Sequence, residues 1–346
     1  MKKLPILLLL SVVVLTGCSL KIGGGSTDGG IYRSLDKGVA WEQKVFISKG
    51  KKQDVTVGNI NVNDILFSPL DNRVVYLLSS QSGVFVSANE AEQWEQIFPV
   101  GANAITLHPT KKDIIYVVSG NKIYRTLDGA QNWQQVYIEA TPETGLNDIV
   151  IDFANPQVLY AVTSKGTLLK SSDAGTSWQA IYRFSKEISR LYLNPNNTAI
   201  IYAAMPSRGL WRSIDRGVTW TDLQPSLEEV VKRAGSYKKM VFIPGLSDGL
   251  LYATSYGLFQ SVNGGQNWDN IELVTPPSSV GISMLSVNPQ NNQEIYYAIN
   301  TLIYYTSDGG KTWVINRSPS GRATTALTIN PEDPNIMYLG VVKVKK

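Results

Sequence analysis

A phrase of eight residues returns seven times along this 346-residue chain. Each copy begins with Ser or Thr, has Asp or Asn two residues later, and ends in a Trp seven residues after its start, as in Ser213 to Trp220. The Trp residues of successive copies lie 39 to 53 positions apart. A chain with so regular a repeat is expected to fold as an array of similar units, each packed on its neighbours.

A second marker, a Tyr that ends a short apolar run, also occurs seven times. Its positions are Tyr76, Tyr116, Tyr160, Tyr202, Tyr252, Tyr296 and Tyr338. Short runs of β-favouring residues alternate with Gly, Pro and Asn, and 43% of the residues are hydrophobic, so the chain is expected to be folded and all-β. A period in the forties with four short strands per unit is typical of a β-propeller. We therefore predict a seven-bladed β-propeller with four-stranded blades.

The two ends of the repeat region indicate how the ring closes. The first Ser-to-Trp unit, residues 30–44, has no inner strands before it, whereas the last Tyr unit, residues 325–342, has no Ser-to-Trp unit after it. Joined, they make one blade, with outer strands from the N-terminal segment and inner strands from the C-terminal segment. This arrangement removes the open edges of a linear array.

The repeated turn is predicted to be structural. Asp215 can accept backbone N–H groups inside a tight turn, Gly217 suits a positive φ, and Trp220 can cover apolar surface beside it. The Asp or Asn members of the seven turns are Asp36, Asn89, Asp128, Asp173, Asp215, Asn263 and Asp308, and the Trp members are Trp41, Trp94, Trp133, Trp178, Trp220, Trp268 and Trp313.

The phrase Ser/Thr-x-Asp-x-Gly-x-Thr-Trp, preceded by Asn-Pro and an Ile-Tyr-Ala-like strand, resembles the Asp-box (BNR) repeat. Propellers with this repeat include sortilin-type domains, xyloglucanases, sialidases and photosystem II assembly-factor-like proteins. The resemblance covers residues 30–342 and implies the propeller fold. It leaves function open, because the same repeat carries both enzymes and binding domains. Asn89 and Asn263 replace the Asp of the family pattern, and Ala91 and Ala130 replace its Gly.

The N-terminus predicts the compartment. Lys2 and Lys3 precede an apolar run of twelve residues, 4–15, which is too short for a membrane span and suits a signal peptide. Residues 15–18, Leu-Thr-Gly-Cys, resemble a bacterial lipobox. We expect a signal peptide over residues 1–17, a lipidated Cys18 opening a flexible Gly- and Ser-rich tether over 18–29, and one propeller domain over 30–346. The predicted location is the bacterial cell envelope, outside the cytoplasm.

Charge and residue types exclude several chemistries. Removal of residues 1–17 takes away Lys2 and Lys3, which leaves 30 basic and 28 acidic residues, so no nucleic-acid partner is expected. Cys18 is the only cysteine, and the only histidine, His108, stands where other repeats place the Asn of a turn. We expect no metal, no cofactor and no histidine-based catalysis, and we expect a monomer.

One repeat position carries candidate functional charges. Twelve residues before the marker Tyr, where the innermost strand begins, the chain has Asp64, Asp148 and Arg190 in three of its units. This end of the inner strands is expected to face the central channel. The alternative is that each Asp only caps a loop through its own backbone.

Two function classes remain open. The first is a lipid-anchored, non-enzymatic propeller that binds a protein partner or acts in assembly. The second is a glycoside hydrolase or glycan-binding propeller, since glycoside hydrolysis needs only two carboxylates. No catalytic residue is assigned. Two unpaired carboxylates in a deep groove would favour the hydrolase, whereas a rim of mixed charge would favour a protein partner.

Overall fold

A computed structural model describes residues 28–232, 234–276 and 281–344. They form seven four-stranded antiparallel sheets arranged as the blades of a β-propeller, with one two-stranded hairpin and one short helix in the connections. The predicted fold class is confirmed. No helix within the described ranges is long and apolar enough to cross a membrane.

The strands are numbered in chain order. Those from the first half of the chain are β1 Ile31–Ser34, β2 Glu42–Gln43, β3 Phe46–Ser48, β4 Val55–Thr56, β5 Asp64–Phe67, β6 Val75–Ser79, β7 Gly83–Ser87, β8 Glu95–Phe98, β9 Ala104–Leu107, β10 Ile115–Ser119, β11 Lys122–Thr126, β12 Gln134–Ile138, β13 Leu146–Ile151, β14 Leu159–Thr163, β15 Thr167–Ser171 and β16 Gln179–Arg183. Those from the second half are β17 Arg190–Asn194, β18 Asn197–Met205, β19 Gly209–Ser213, β20 Thr221–Asp222, β21 Tyr237–Phe242, β22 Leu250–Thr254, β23 Leu258–Ser261, β24 Asp269–Ile271, β25 Ile282–Asn288, β26 Asn291–Ile299, β27 Leu302–Thr306, β28 Val314–Arg317, β29 Ala323–Ile329 and β30 Met337–Val342. The helix, α1, is Gln224–Glu228.

Six blades are formed by consecutive strands, running from the inner to the outer edge of the ring. Blade 2 is β5 to β8, blade 3 is β9 to β12, blade 4 is β13 to β16, blade 5 is β17 to β20, blade 6 is β21 to β24 and blade 7 is β25 to β28. The β3–β4 hairpin lies between blades 1 and 2, and α1 lies between blades 5 and 6.

Blade 1 contains strands from both ends of the chain. Its order is β2, β1, β30 and β29, so the N-terminal segment supplies the two outer strands and the C-terminal segment the two inner ones. β1 and β30 are antiparallel, with Ile31 opposite Gly340 and Ser34 opposite Met337. The predicted closure of the ring is confirmed.

The core is divided among seven interfaces between neighbouring blades. Each of the seven buried apolar clusters joins two consecutive blades; one of them unites Tyr76 and Val84 of blade 2 with Ile115 of blade 3. Two clusters flank blade 1, one on each side. Each blade therefore needs only its neighbours to bury its two faces, which lets the domain exceed the usual size of a single core.

Ion pairs hold blade 1 on both sides. Lys37 contacts Glu294 of blade 7, with Nζ 3.0 Å from Oε1. On the other side, Arg33 and Lys44 both reach Glu92 of blade 2, at 2.7 and 2.8 Å from its Oε1. Arg33 and Lys44 are buried, so these contacts are less screened than surface pairs.

The repeated turn has the same hydrogen bonds in all seven copies. In blade 5, the Ser213 hydroxyl donates to Asp215 Oδ1 at 2.8 Å and accepts from the Gly217 backbone N–H at 2.8 Å. Asp215 Oδ1 also accepts from the Thr219 backbone N–H at 2.8 Å. Across the seven turns, the bond from Ser or Thr to Asp or Asn is 2.6–3.0 Å long. The turns at Asn89 and Asn263 keep these bonds because an amide oxygen accepts them equally well.

The Trp residues of these turns are not equally buried. Trp94, Trp133 and Trp268 are buried, whereas Trp41, Trp178, Trp220 and Trp313 are only partly so. Several indoles bond to the preceding blade: Trp94 Nε1 donates to the Lys44 carbonyl at 2.8 Å and Trp133 Nε1 to the Ile97 carbonyl at 2.9 Å. The rings thus contribute to blade–blade contacts as well as to their own turns.

Candidate binding site at the channel mouth

The three predicted charges lie at the same end of the inner strands. Asp64 and Arg190 are the first residues of β5 and β17, and Asp148 is the third residue of β13. At this end, which we call the mouth end, the connections between blades lead into the inner strands. The opposite end, which we call the turn end, carries the seven Ser/Thr turns.

Arg190 joins both carboxylates. Its Nη2 lies 3.4 Å from Asp64 Oδ2 and its Nη1 lies 3.5 Å from Asp148 Oδ1. Asp148 belongs to the neighbouring blade, but Asp64 belongs to blade 2, three blades from Arg190, which is the largest separation that a ring of seven allows. The Arg190 side chain therefore reaches across the central channel to contact blade 2.

Asp148 is buried and well supplied with donors. Its Oδ2 accepts from the Leu191 backbone N–H at 2.8 Å and its Oδ1 from the Ile149 backbone N–H at 3.0 Å. Burial raises the pKa of the Asp148 carboxyl, and the charge of Arg190 and these backbone donors oppose that rise. The Asp148 charge in turn raises the pKa of Arg190.

Asp64 and Asp148 also bond to the backbone of the residue that follows each, as the loop-capping alternative expects. Asp64 Oδ1 accepts from its neighbour Ile65 at 3.0 Å, just as Asp148 accepts from Ile149. Each carboxylate thus caps its own strand and also takes part in the ion pair with Arg190. The side chain of Asp64 is 37% exposed and that of Arg190 28% exposed, so both are accessible to solvent.

Sequence reasoning missed a fourth charge, Lys239. It lies on β21, beside Met240, which occupies the repeat position in blade 6. The strand register shifts between Tyr237 and Lys239. Burial lowers the pKa of Lys239, and the nearby Asp64 charge opposes this. Within the described part of the chain, the Lys239 ammonium makes no hydrogen bond or ion pair. A Lys inside the largely apolar strand Tyr237–Phe242 was the available signal.

Two tyrosines, Tyr192 and Tyr237, complete the site. We call the set of Asp64, Asp148, Arg190, Lys239 and these two tyrosines the channel mouth. The hydroxyls of Tyr192 and Tyr237, from blades 5 and 6, are 2.5 Å apart. Burial raises the pKa of both phenols, so both are neutral near pH 7.

Other candidate positions have structural explanations. His108 Nδ1 accepts from the Thr110 backbone N–H at 3.2 Å within its turn, and burial lowers the pKa of the ring. Among the residues described, no group of three His, Cys, Asp or Glu side chains is placed to hold a metal ion. A cleft of about 500 Å³ lies between the β3–β4 hairpin and the outer edge of blade 2 and is lined by Ile47, Trp94 and Gln96, none of which belongs to the channel mouth. It contains no pair of carboxylates.

The fold and the N-terminal sequence together define a class: a seven-bladed propeller preceded by a lipoprotein attachment motif. Residues 1–19 match the model of the prokaryotic membrane lipoprotein lipid attachment site. Cys18 lies within this match. Cys18, the predicted signal peptide and most of the predicted tether lie outside the described residues.

The similar proteins include xyloglucanases and YCF48. A xyloglucanase of Hypocrea jecorina is 23% identical over 270 residues, which is 70% of this chain and 29% of that protein. The GH74 xyloglucanase of Xanthomonas campestris has a similar solved structure, with a TM-score of 0.67 at 17% identity over 86% of this chain and 52% of that one. YCF48, solved bound to D1 peptide, aligns with a TM-score of 0.63 at 17% identity over 82% of this chain and 94% of that one.

These similarities establish the fold. This chain spans less than a third of the length of the xyloglucanase it matches in sequence and about half of the solved one, while it aligns with nearly the whole of YCF48. Function has to be argued from the site itself.

Proposed function

We propose that this chain is a lipid-anchored extracytoplasmic propeller whose channel mouth binds a protein partner without catalysis. The observation that carries the proposal is the arrangement of Asp64, Arg190 and Asp148, in which one guanidinium engages both carboxylates. Glycoside hydrolysis requires one carboxyl group to donate a proton and the other to act as base or nucleophile. Here both carboxylates contact one guanidinium and each also accepts a backbone N–H bond, so their oxygens are engaged within the domain, which suits a mixed-charge recognition site better than a pair of unpaired catalytic carboxylates.

The chemistry of the mouth indicates what the partner presents. Lys239 is a half-buried cation near Asp64 and Arg190, without a bonded partner among the described residues, and the mouth also contains the neutral hydroxyls of Tyr192 and Tyr237. A carboxylate inserted into the mouth would meet Lys239 as well as Arg190, and burial would strengthen both contacts. We therefore propose a protein segment with an acidic side chain or a C-terminal carboxylate. The YCF48 structure with bound D1 peptide gives a precedent for a propeller of this size holding a peptide.

Polysaccharide hydrolysis is the second candidate, and the similarity to xyloglucanases favours it. It is tested by incubating the full-length protein with xyloglucan and measuring new reducing ends. We expect no turnover by the unmodified protein. If the unmodified protein did release reducing ends, and both Asp64→Asn and Asp148→Asn abolished that activity, the chain would be a hydrolase and the binding proposal would be wrong.

Photo-crosslinking in the native envelope tests the binding proposal. A photoreactive residue at Ser185, an exposed position in the connection before β17, should give a discrete protein adduct. The same residue at Ser172, exposed in a turn at the other end of blade 4, serves as the control and should give none. Adducts at Ser172 alone, or at neither position, would contradict a partner site at the mouth.

A further inference from the structure

Lys239 departs from a pattern that the other six blades share. The residue thirteen positions before each marker Tyr stands near the start of the inner strand, and in six blades it is Asn, Ser or Thr. In blade 6 it is Lys239. The other six residues are Asn63, Asn103, Asn147, Ser189, Ser283 and Thr325.

The six small polar side chains bond the start of their inner strands to the backbone. Asn103 Nδ2 donates to the Leu146 carbonyl of the next blade at 2.9 Å, and Asn147 Nδ2 donates to the Ile188 carbonyl at 2.8 Å, in the connection that leads into blade 5. Thr325 bonds in the same way to the connection that leads into blade 2. Asn63, Ser189 and Ser283 bond to the backbone of their own blades. This position therefore has a structural role in six blades.

Lys239 does not have this structural role. Its amine is half-buried, and it bonds to no group among the residues described, which costs the folded state free energy. Its neighbour Lys238 is exposed, as the extra residue between the Tyr237–Thr254 and Lys239–Ala253 pairs of the sheet. A residue that departs from a structural pattern without a compensating contact is expected to serve a function.

The surroundings of Lys239 favour reaction of its amine with an electrophile. Burial lowers the pKa of the amine; the Asp64 charge opposes this change, and the Arg190 charge adds to it. The neutral amine is the form that attacks a carbonyl carbon. Lysines that form covalent adducts with carbonyl compounds are activated in this way, by desolvation or by a neighbouring cation.

The neighbouring charges indicate which carbonyl compound fits the site. Arg190 contacts Asp64 and Asp148 at 3.4 and 3.5 Å, longer than the roughly 2.7–2.9 Å of strong charge-assisted bonds, so its N–H groups can also donate to a ligand carboxylate. Asp64 supplies a negative charge near the amine, which stabilises a protonated imine. The ligand has to be small, because a single arginine side chain reaches across the channel at this level.

We propose that Lys239 binds a small 2-oxo acid reversibly as an imine, with the carboxylate of the acid at Arg190 and with Asp64 as the counter-ion of the protonated imine. The amine nitrogen forms a double bond to the carbonyl carbon, and the carbonyl oxygen leaves as water with the two amine hydrogens. The imine then takes a proton from solvent, and no oxidant or reductant is needed. This ligand goes beyond the proposed protein partner and does not depend on it.

Reductive trapping tests this proposal. The purified full-length protein is incubated with cyanoborohydride and either glyoxylate, the smallest 2-oxo acid, or acetaldehyde, which lacks the carboxylate. Hydride transfer from cyanoborohydride converts an imine into a stable secondary amine, and fragment-ion mass spectrometry of chymotryptic peptides measures the trapped fraction at each lysine. Lys238 is the internal control, so the different intrinsic reactivities of the two aldehydes cancel in the ratio of Lys239 to Lys238.

With glyoxylate, we expect about tenfold more trapping at Lys239 than at Lys238. With acetaldehyde, this ratio should be lower by about threefold or more, because the ligand has no carboxylate for Arg190. Equal trapping of glyoxylate at the two lysines would overturn the covalent site. The same ratio with both aldehydes would overturn the assignment of Arg190 as the partner of the carboxylate.

Two conservative variants complete the comparison. Lys239→Arg keeps the positive charge and should remove the preferred glyoxylate adduct, whereas Lys238→Arg should leave that adduct unchanged. The purified protein contains no partner, and crosslinking from Ser185 in the envelope uses no aldehyde. Loss of trapping would therefore refute the imine alone, and loss of the crosslink would refute the protein partner alone.

Discussion

At the scale of single residues, the hydroxyl of the repeated turn matters more than the carboxylate. Ser213 is buried and bonds both to Asp215 and to the Gly217 backbone, whereas Asp215 is partly exposed. This explains why Asn can replace Asp at two of the seven turns, while every copy keeps a Ser or Thr. The turn needs an oxygen acceptor at the Asp position and does not need its charge.

Ser213→Ala should lower the free energy of unfolding by about 1–3 kcal/mol, because it leaves the buried Gly217 N–H unpaired. Ser172→Ala, at an exposed position of the equivalent turn in blade 4, should change it by less than about 0.5 kcal/mol. Urea unfolding of the two variants makes the comparison. Equal effects would show that the hydroxyl is not what holds the turn.

The residues of the channel mouth show what the sequence could and could not predict. Asp64, Asp148 and Arg190 share one repeat position, and the repeat was enough to place them at one end of the inner strands. Their pairing across the channel was not predictable, because it depends on the diameter of the closed ring. Lys239 was missed because it stands beside the repeat position, on a strand whose register shifts at that point.

At the scale of elements, blade 1 determines whether the ring is closed. Its inner and outer strands come from opposite ends of the chain, and its closure could be predicted because each end lacked the half-unit that the other supplied. The ion pairs that hold blade 1, such as Lys37 with Glu294, could not be predicted, because they join residues that the repeat does not relate.

Deletion of residues 325–346 should abolish cooperative unfolding of the domain, because it removes most of β29 and all of β30 and exposes strand edges on blade 1. Deletion of 343–346 alone removes no strand and is the matched control. Circular dichroism during heating distinguishes them. If the protein that lacks residues 325–346 kept the melting temperature of the full chain, the closure of the ring through blade 1 would be contradicted.

The unequal burial of the turn Trp residues gives a prediction for the blade interfaces. Trp94→Ala should cost about 3–5 kcal/mol, as for other buried aromatic rings, and it also leaves the Lys44 carbonyl without its donor. Trp220→Ala should cost less, because its ring is only partly buried and its indole bonds within its own turn, to Gly217. Denaturant unfolding should rank the two variants in this order. The reverse order would contradict the proposed role of Trp94 between blades 1 and 2.

At the scale of the whole molecule, the repeated turns should give the stability a common dependence on pH. Their hydrogen bonds lower the pKa of Asp173 and Asp215 to about 2, from 3.8 in the unfolded chain. A carboxyl whose pKa is depressed by folding stabilises the folded state above the unfolded pKa, and this contribution is lost as pH falls through the folded pKa. Asp148 acts in the opposite direction, because burial raises its pKa.

We expect the free energy of unfolding to change little between pH 7 and 5 and to fall as pH drops from about 4 to about 2. Replacement of Asp173 and Asp215 by Asn, the residue that two native turns already use, should reduce the acid slope. Unfolding in urea at a series of pH values measures it. If the free energy of unfolding falls as steeply with decreasing pH in the double variant as in the parent protein, the turn carboxylates are not the cause of the loss of stability in acid.

We propose above all that the channel mouth binds a partner through its charged groups. The most direct test compares Lys239→Gln with Lys238→Gln in the protein carrying the photoreactive residue at Ser185. The two lysines are neighbours on β21, but Lys238 is exposed, whereas Lys239 is half-buried near Asp64 and Arg190. We predict that Lys239→Gln lowers the adduct yield at least fivefold, that Lys238→Gln leaves it within twofold, and that both variants keep the parent melting temperature within a few degrees. Equal adduct yields from the two folded variants would contradict the assignment of the mouth as the binding site.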